Sequence, residues 1–434
     1  MGCPAPQICF YPRRRNDYAA RVNFTGIITP NIQNWSCHGC SDCCRGGLLI
    51  TLQPEDKQRI EEQNWTPADG IDPAKAVVRG LNHFRLGHQP DGACVFLDNQ
   101  GRCKIHAKFG EAAKPLACRL YPLVVHPAGK KLLVGLRFSC PSAAANKGVP
   151  MSGYAAGLAK LAKTFLPENC DEFPPPAVAA TGGLDWPDFM RFTRWLDKSL
   201  ADETLPMALK LLRVLQWLGA VEKSYFDQIE GDSADDILGA LVENSSKKIP
   251  ELPVSPEKPS AFGRLFLRLM VLEHARIVKV ADADVRSTHR WKMLAAAARF
   301  AWSAGSTPAL SEELKRVKFS NIEKNFAPLS AGVEALLTRY FCVKIQSLHF
   351  CGRAFHNRPL IEGFRNLALL YPVIVWLARW LALSAGRPEV ADADVLRAVS
   401  LVDHHYSYTP YLAWRTKLMQ QRNDIAKLCA WYAR

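Results

Sequence analysis

Apolar positions divide this chain into two unlike parts. After residue 260 they recur at helical spacing almost to the end, a period that puts one face of each segment into a core. The pattern predicts helices over Ala261–Val280, Asp282–Ala304, Leu329–Phe350, Leu360–Ala385, Asp392–Val402 and Thr409–Tyr432. Asp282 and Asp392 stand where a helix N-cap is wanted. Further amphipathic helices are predicted over Asp188–Ala201, Leu205–Val221 and Ser233–Glu243. They lie between two Pro-rich breaks, CDEFPPPAVAATGGLDWP at 170–187 and IPELPVSPEKPS at 249–260.

The front of the chain has shorter periods and more turns. Leu48–Leu52 predicts a strand, and Pro54 opens a helix, PEDKQRIEEQNW, with Glu55 and Asp56 in its first turn. Cys94–Leu97, followed by Asp98-Asn99-Gln100-Gly101, predicts a strand and a turn. Lys131–Phe138 predicts another strand, and Ser152–Leu166 a helix with Ser152 as its N-cap. The fold class is therefore α+β: a small cysteine-rich, metal-stapled N-terminal domain followed by a larger all-α helical region. The segments are an N-terminal arm at 1–34, the cysteine-rich domain at 35–150, a helical linker region at 151–250 and a helical C-terminal domain at 261–434.

Hydrophobic residues make up 48% of the 434 residues and charged residues 22%, which excludes a disordered chain. The formal charge of +14 favours an acidic partner, but it is spread over the whole length and gives no clear nucleic-acid signature. The start, MGCPAPQICFYPRRRNDYAARVNF, has no apolar stretch of the kind a secretory signal needs, because Pro4, Pro6 and Arg13-Arg14-Arg15 interrupt it. Met1-Gly2-Cys3 begins like an acylation site, yet position six is Pro6, where Ser or Thr is required. Leu367–Ala385 is nearly long enough to span a bilayer. It contains Pro372 and Arg379, so a buried core helix is the expectation and a membrane span is not. These features place the chain in the cytoplasm, where clustered thiols point to metal more than to disulfides.

Ten of the 14 cysteines fall in the first 140 residues. Cys37, Cys40, Cys43 and Cys44 form a CxxCxxCC run. Two residues between cysteines let both thiolates turn toward one ion while intervening amides face the sulfurs. Adjacent Cys43 and Cys44 are expected to project apart and to serve two ions, or one ion and its surroundings. Gly46-Gly47 lets the chain reverse close to the site. Cys94, Cys103, Cys118 and Cys140 complete a set of eight thiols, suited to two four-coordinate ions or to one cluster and one ion. His106, in Cys103-Lys104-Ile105-His106, is a further candidate, although a lone histidine is more often an ordinary polar residue. Arg45, Lys104 and Arg119 either lower the thiol pKa values or form an ordinary solvated face. Buried inert thiols explain Cys170, Cys342, Cys351 and Cys429 well but not four cysteines in eight residues. Cys3 and Cys9 have no assignment.

The runs WSCHGCSDCC, GACVFLDNQGRCKIHAKFGEAAKPLACRLYPL and RFSCP resemble the zinc- or iron-chelating CxxCxxCC cysteine-cluster family, to which flagellin lysine N-methylase is related. The eight cysteines occupy the family positions, and Pro115, Arg119, Tyr121 and Pro122 match its last segment. The resemblance covers about 105 of the 434 residues. RYFCVKIQSLHF and LIEGFRNLALLYPVIVWLARWLA resemble the tail of flagellin N-methylase-like proteins. The resemblance implies an iron–sulfur cluster, S-adenosylmethionine and a protein lysine as methyl acceptor.

The residues themselves offer neither a Gly-rich loop after a strand nor a CxxxCxxC radical motif, and no catalytic residue can be named from them. Asp403-His404-His405-Tyr406 reads as histidines at a helix C-terminus. His349, Cys351 and His356 read as core and rim, and Trp195, Trp376 and Trp380 as packing residues. Three functions follow: an iron–sulfur enzyme such as a protein lysine N-methylase, a zinc-stapled interaction module without catalysis, or a metal- or redox-handling protein. Oligomeric state is not written in the sequence.

Overall fold

The computed structural model describes residues 24–45, 50–80, 83–167, 169–180, 183–224, 231–275, 286–408 and 413–434. Eight short strands lie in the front part: β1 Gly26–Ile28, β2 Asn34–Trp35, β3 Thr51–Leu52, β4 Val77–Arg79, β5 Phe84–Leu86, β6 Leu123–Ala128, β7 Lys131–Leu136 and β8 Val149–Pro150. Short helices are threaded among them: α1 Asp42–Arg45, α2 Pro54–Glu62, α3 Pro73–Ala76, α4 Lys104–Phe109, α5 Leu116–Leu120 and α6 Pro141–Ala144. The rest is helical: α7 Ala155–Ala162, α8 Trp186–Leu200, α9 Met207–Val221, α10 Asp232–Lys248, α11 Ala261–Ala275, α12 Arg286–Trp302, α13 Phe319–Ile322, α14 Ala331–Gln346, α15 Leu360–Ser384, α16 Asp392–His405, α17 Ala413–Gln421 and α18 Asp424–Tyr432. The fold is α+β, with its small sheets confined to the front.

Three sheets divide the strands. β3–β5–β4 is antiparallel, β2 pairs antiparallel with β8, and β6–β7 is a hairpin whose second strand takes β1 in parallel. Two hydrophobic cores result. The small one holds Ile50, Leu52, Ile60, Trp65, Ile71, Ala76, Leu86, Phe96, Ile105 and Ala117. The large one takes in the β6–β7 hairpin together with the helices. After Lys131, every residue of β7 is buried, because one face meets α14 and the strand is flanked on both edges.

The centre of the large core is α15. From Leu367 to Ala382 every side chain is buried, and the helix packs on α9, α11, α16 and α18. It is long and apolar enough to cross a membrane, yet 89% of its most apolar window is inside the protein, as expected of a core helix. Pro372 sits in its interior. Arg379 is buried and donates to the Tyr432 and Arg434 carbonyls, so its charge ends on backbone oxygens at the end of the chain.

Several local expectations need correcting. Cys94–Leu97 is no strand. It is a turn held by isolated bridges from His88 to Cys94 and from Leu97 to Cys103. Leu48 and Leu49 of the expected strand lie outside the described residues, and the strand proper is Thr51–Leu52. The segment 1–34 contains β1, which the β7 edge recruits. Ser152 caps nothing: Met151–Tyr154 is a 3-10 turn leading into α7. Ala391 takes the N-cap position expected of Asp392, with the Asp394 carboxylate accepting its N–H at 2.8 Å. Asp282 lies outside the described residues. The last long helix is broken into α17 and α18 by Asn423, which is left-handed at φ 53°.

Gly363 on α15 lies so close to its neighbour that an added Cβ would stand 2.0 Å from the Phe350 carbonyl oxygen. Helix propensity alone favours Gly363→Ala by about 1 kcal/mol, whereas forcing a methyl into packed backbone costs about 1–3 kcal/mol. The clash should win, and urea unfolding of Gly363→Ala should show a net loss of stability. A gain would contradict this packing of α15.

Candidate metal centre

The CxxCxxCC run lies on an exposed turn and a single turn of helix. Gly39 and Ser41 adopt left-handed backbone at φ 67° and 60°, which bends the chain between Cys37 and Cys43. The Ser41 carbonyl then accepts the N–H groups of Cys44 and Arg45 and so begins α1. His38 Nδ1 lies 3.1 Å from Ser142 Oγ on α6, and the Cys94 N–H donates to the Cys44 carbonyl at 2.8 Å. The run is thereby tied both to the segment following Cys140 and to the rim of the small core.

Cys43 and Cys44 do not project apart. Their sulfurs are 3.8 Å from each other, because both belong to the tight turn of α1. A tetrahedron with metal–sulfur bonds of about 2.3 Å has edges of about 3.8 Å, so the two sulfurs are close enough to reach one ion together.

The remaining thiols fall into two neighbourhoods. Cys94, Cys103 and Cys118 pack against the small core. Burial pushes the Cys118 thiol well up, and the neighbouring sulfurs of Cys94, Cys103 and Cys43 push it the same way. Burial takes Cys94 up to about 12, with Cys103 and Cys43 adding to the rise. The Cys43 thiol is raised first by its contact with Cys44 and then by burial. The second neighbourhood is Cys37, Cys40 and Cys140. Burial is the main cause raising Cys40, with Cys43 and Cys37 among its neighbours, and burial raises Cys140, which faces Cys40. All eight are free thiols.

Lys104 and Arg45 are engaged away from the thiols. Burial and mutual crowding drive the shifted thiols upward. The cation that opposes this at Cys43 and Cys118 is Lys114. Lys104 is spent on the carbonyls of Asp69 and Gly70, and Arg45 donates to Ser41 Oγ. His106 is exposed on α4, as an ordinary polar residue would be. Cys170, Cys342, Cys351 and Cys429 are buried in the large core. Cys3, Cys9 and Gly46-Gly47 lie outside the described residues.

As a donor set, clustered thiols suit zinc and iron–sulfur chemistry. Among the described residues, no three His, Cys, Asp or Glu side chains already stand in an ion-holding arrangement. Closing the site therefore requires the sulfurs to turn inward from their present positions. Cys37 and Cys40 are exposed at the head of the run, which leaves them room to do so.

Sequence reasoning missed a second constellation at the joint between the β6–β7 hairpin and the helices. Lys344 and Asp403 are both fully buried and pair at 2.5 Å. Tyr340 Oη donates to Asp403 Oδ1 at 3.3 Å, and the Ser139 N–H donates to Asp403 Oδ2 at 3.2 Å. His349 bridges Lys344 and Ser407. The available signal was Lys344 itself, a charge inside the apolar run YFCVKI.

Comparison with known families matches residues 36–141 to CxxCxxCC, described as "Putative zinc- or iron-chelating domain". No curated protein and no solved structure matches the chain.

The raised thiols dictate how metal uptake depends on pH. Near pH 7 the shifted thiols carry their protons, and a metal ion takes the thiolate. Loading the apo protein with zinc should therefore release protons, and affinity should rise with pH. Calorimetry in buffers of different ionisation enthalpy measures this, and uptake without proton release would contradict the thiol assignment. Cys342→Ala and Cys429→Ala should leave metal content unchanged.

Proposed function

We infer from the CxxCxxCC-family domain carried at residues 36–141 that this chain holds zinc or iron on cysteine thiolates, and that the metal staples the front of the protein. The observation that carries the reading is the 3.8 Å spacing of the Cys43 and Cys44 sulfurs beside Cys94, Cys103 and Cys118 on the border of the small core. We assign Cys43, Cys44, Cys94, Cys103 and Cys118 as donors for one centre, and Cys37, Cys40 and Cys140 as donors for a neighbouring one.

A structural role follows from the size of that core. Ten buried residues enclose little apolar area, and small units of this kind depend on staples. Strands of two or three residues add few ladder hydrogen bonds. Metal–thiolate bonds join the α1 turn, the Cys94–Cys103 turn and α5, which are separate in sequence, and binding energy in such sites is folding energy.

A catalytic extension, methyl transfer from S-adenosylmethionine to a protein lysine, rests on the sequence resemblance alone. Equilibrium dialysis with labelled S-adenosylmethionine decides it: saturable binding supports the extension and its absence removes it.

The staple is tested by hydrogen exchange on metal-loaded and chelator-treated protein. Metal removal should speed exchange across residues 50–118 while leaving α14 and α15 protected. Cys118→Ala should reproduce that pattern and lower metal content. Unchanged exchange at 50–118 after complete metal removal would overturn the structural role.

A further inference from the structure

We propose that the outer face of α12 docks on the surface of an anionic lipid bilayer, with the helix lying flat in the interface and not crossing it.

The first argument is how the helix is turned. Ala296 and Phe300 are buried, and the Phe300 ring packs against Phe319, Trp376 and Trp380. These contacts fix the rotation of α12 about its axis. At about 100° per residue, the opposite face carries Trp291, Leu294, Ala295, Ala298 and Trp302. Trp291, Leu294 and Trp302 are 73%, 60% and 83% exposed, and Ala295 and Ala298 are exposed between them. The two indoles lie about 20° apart around the helix and about 16 Å apart along it. α12 is thus apolar on two sides, and the core uses one. Large apolar side chains left bare in a row mark a surface that something else covers.

Charge says what covers it. Lys292 and Arg299 flank the stripe along one side, and both are exposed. Neither makes an ion pair among the described residues. The whole helix, RSTHRWKMLAAAARFAW, holds Arg286, Arg290, Lys292 and Arg299 and no Asp or Glu. The chain around it is itself at +14. A negatively charged surface is the electrostatic complement of such a helix.

The same charges disfavour a second copy of the chain. Antiparallel pairing of two stripes would set Lys292 and Arg299 of both chains along one side of the joint, and α12 has no carboxylate to offset them. A lipid interface suits the stripe better. Indole rings settle at headgroup level, where one part of the ring is apolar and the N–H stays wet. Basic side chains beside them reach lipid phosphates. With mostly alanine between the two indoles, the contact is shallow. The one described helix long enough to span a bilayer, α15, is buried in the core, so the contact is with a surface only.

The test is sedimentation of the full chain with vesicles of phosphatidylcholine alone or mixed with phosphatidylserine. Binding to the mixed vesicles is expected, falling as sodium chloride is raised, with little binding to phosphatidylcholine alone. Lys292→Gln combined with Arg299→Gln should weaken it about thirtyfold, at about 1 kcal/mol per cation. Trp291→Ser combined with Trp302→Ser should weaken it about tenfold or more. If that variant loses helix by circular dichroism, the Lys292 and Arg299 variant decides. Lys75→Gln combined with Lys247→Gln removes as much charge from side chains 74% and 72% exposed on α3 and α10, and should bind as the unaltered chain does. Absence of binding to the mixed vesicles overturns the proposal, as does equal binding to phosphatidylcholine alone. Equal weakening in the Lys75 and Lys247 variant and the Lys292 and Arg299 variant overturns it too. A lipid-free dimer that Trp291→Ser with Trp302→Ser dissociates would give this face to a second copy and overturn it likewise.

Discussion

Crowding of thiols at the edge of a small apolar core is the constraint on which the front of this protein depends. Cys43, Cys94, Cys103 and Cys118 are near enough for each sulfur's ionisation to oppose another's. Without a cation the raised thiols of Cys43, Cys94 and Cys118 stay protonated and contribute only modest packing. On the proposed reading, a thiophilic metal would turn the same crowding into a donor set and join segments distant in sequence. The short strands and ten-residue core of this unit make sense as a frame for that joining.

A second electrostatic arrangement ties the front to the helices. Arg137 and Ser139 follow β7 and reach Asp403 and Ser407, while Lys344 of α14 completes the buried pair. Cys140 comes one residue after Ser139. The segment that supplies a candidate ligand is thus anchored by hydrogen bonds into the large core, and Arg339 of α14 adds bonds to the Ala143 and Ala144 carbonyls just beyond it. Removing one member of a buried charged network leaves the others uncompensated, so rigidity at this joint is expected of it.

Local chemistry was legible in the sequence and long-range chemistry was not. The CxxCxxCC run announces itself because its ligand spacing is a local property, and α15 does so because so long and nearly continuous an apolar run has few alternatives. Cys94–Leu97 misled because an apolar run of four residues does not separate a strand from a turn held by isolated bridges. β1 was invisible because only the β7 edge makes it a strand. The orientation of Cys43 and Cys44 depended on a one-turn helix set up by left-handed Gly39 and Ser41, which spacing alone does not reveal. Lys344 and Asp403 lie on different helices, and only packing brings them together.

X-ray absorption at the metal edge of anaerobically purified full-length protein tests the central claim most directly. The account predicts a first shell made of sulfur at about 2.3 Å around zinc or iron. A first shell dominated by nitrogen or oxygen, or protein free of both metals, would contradict it.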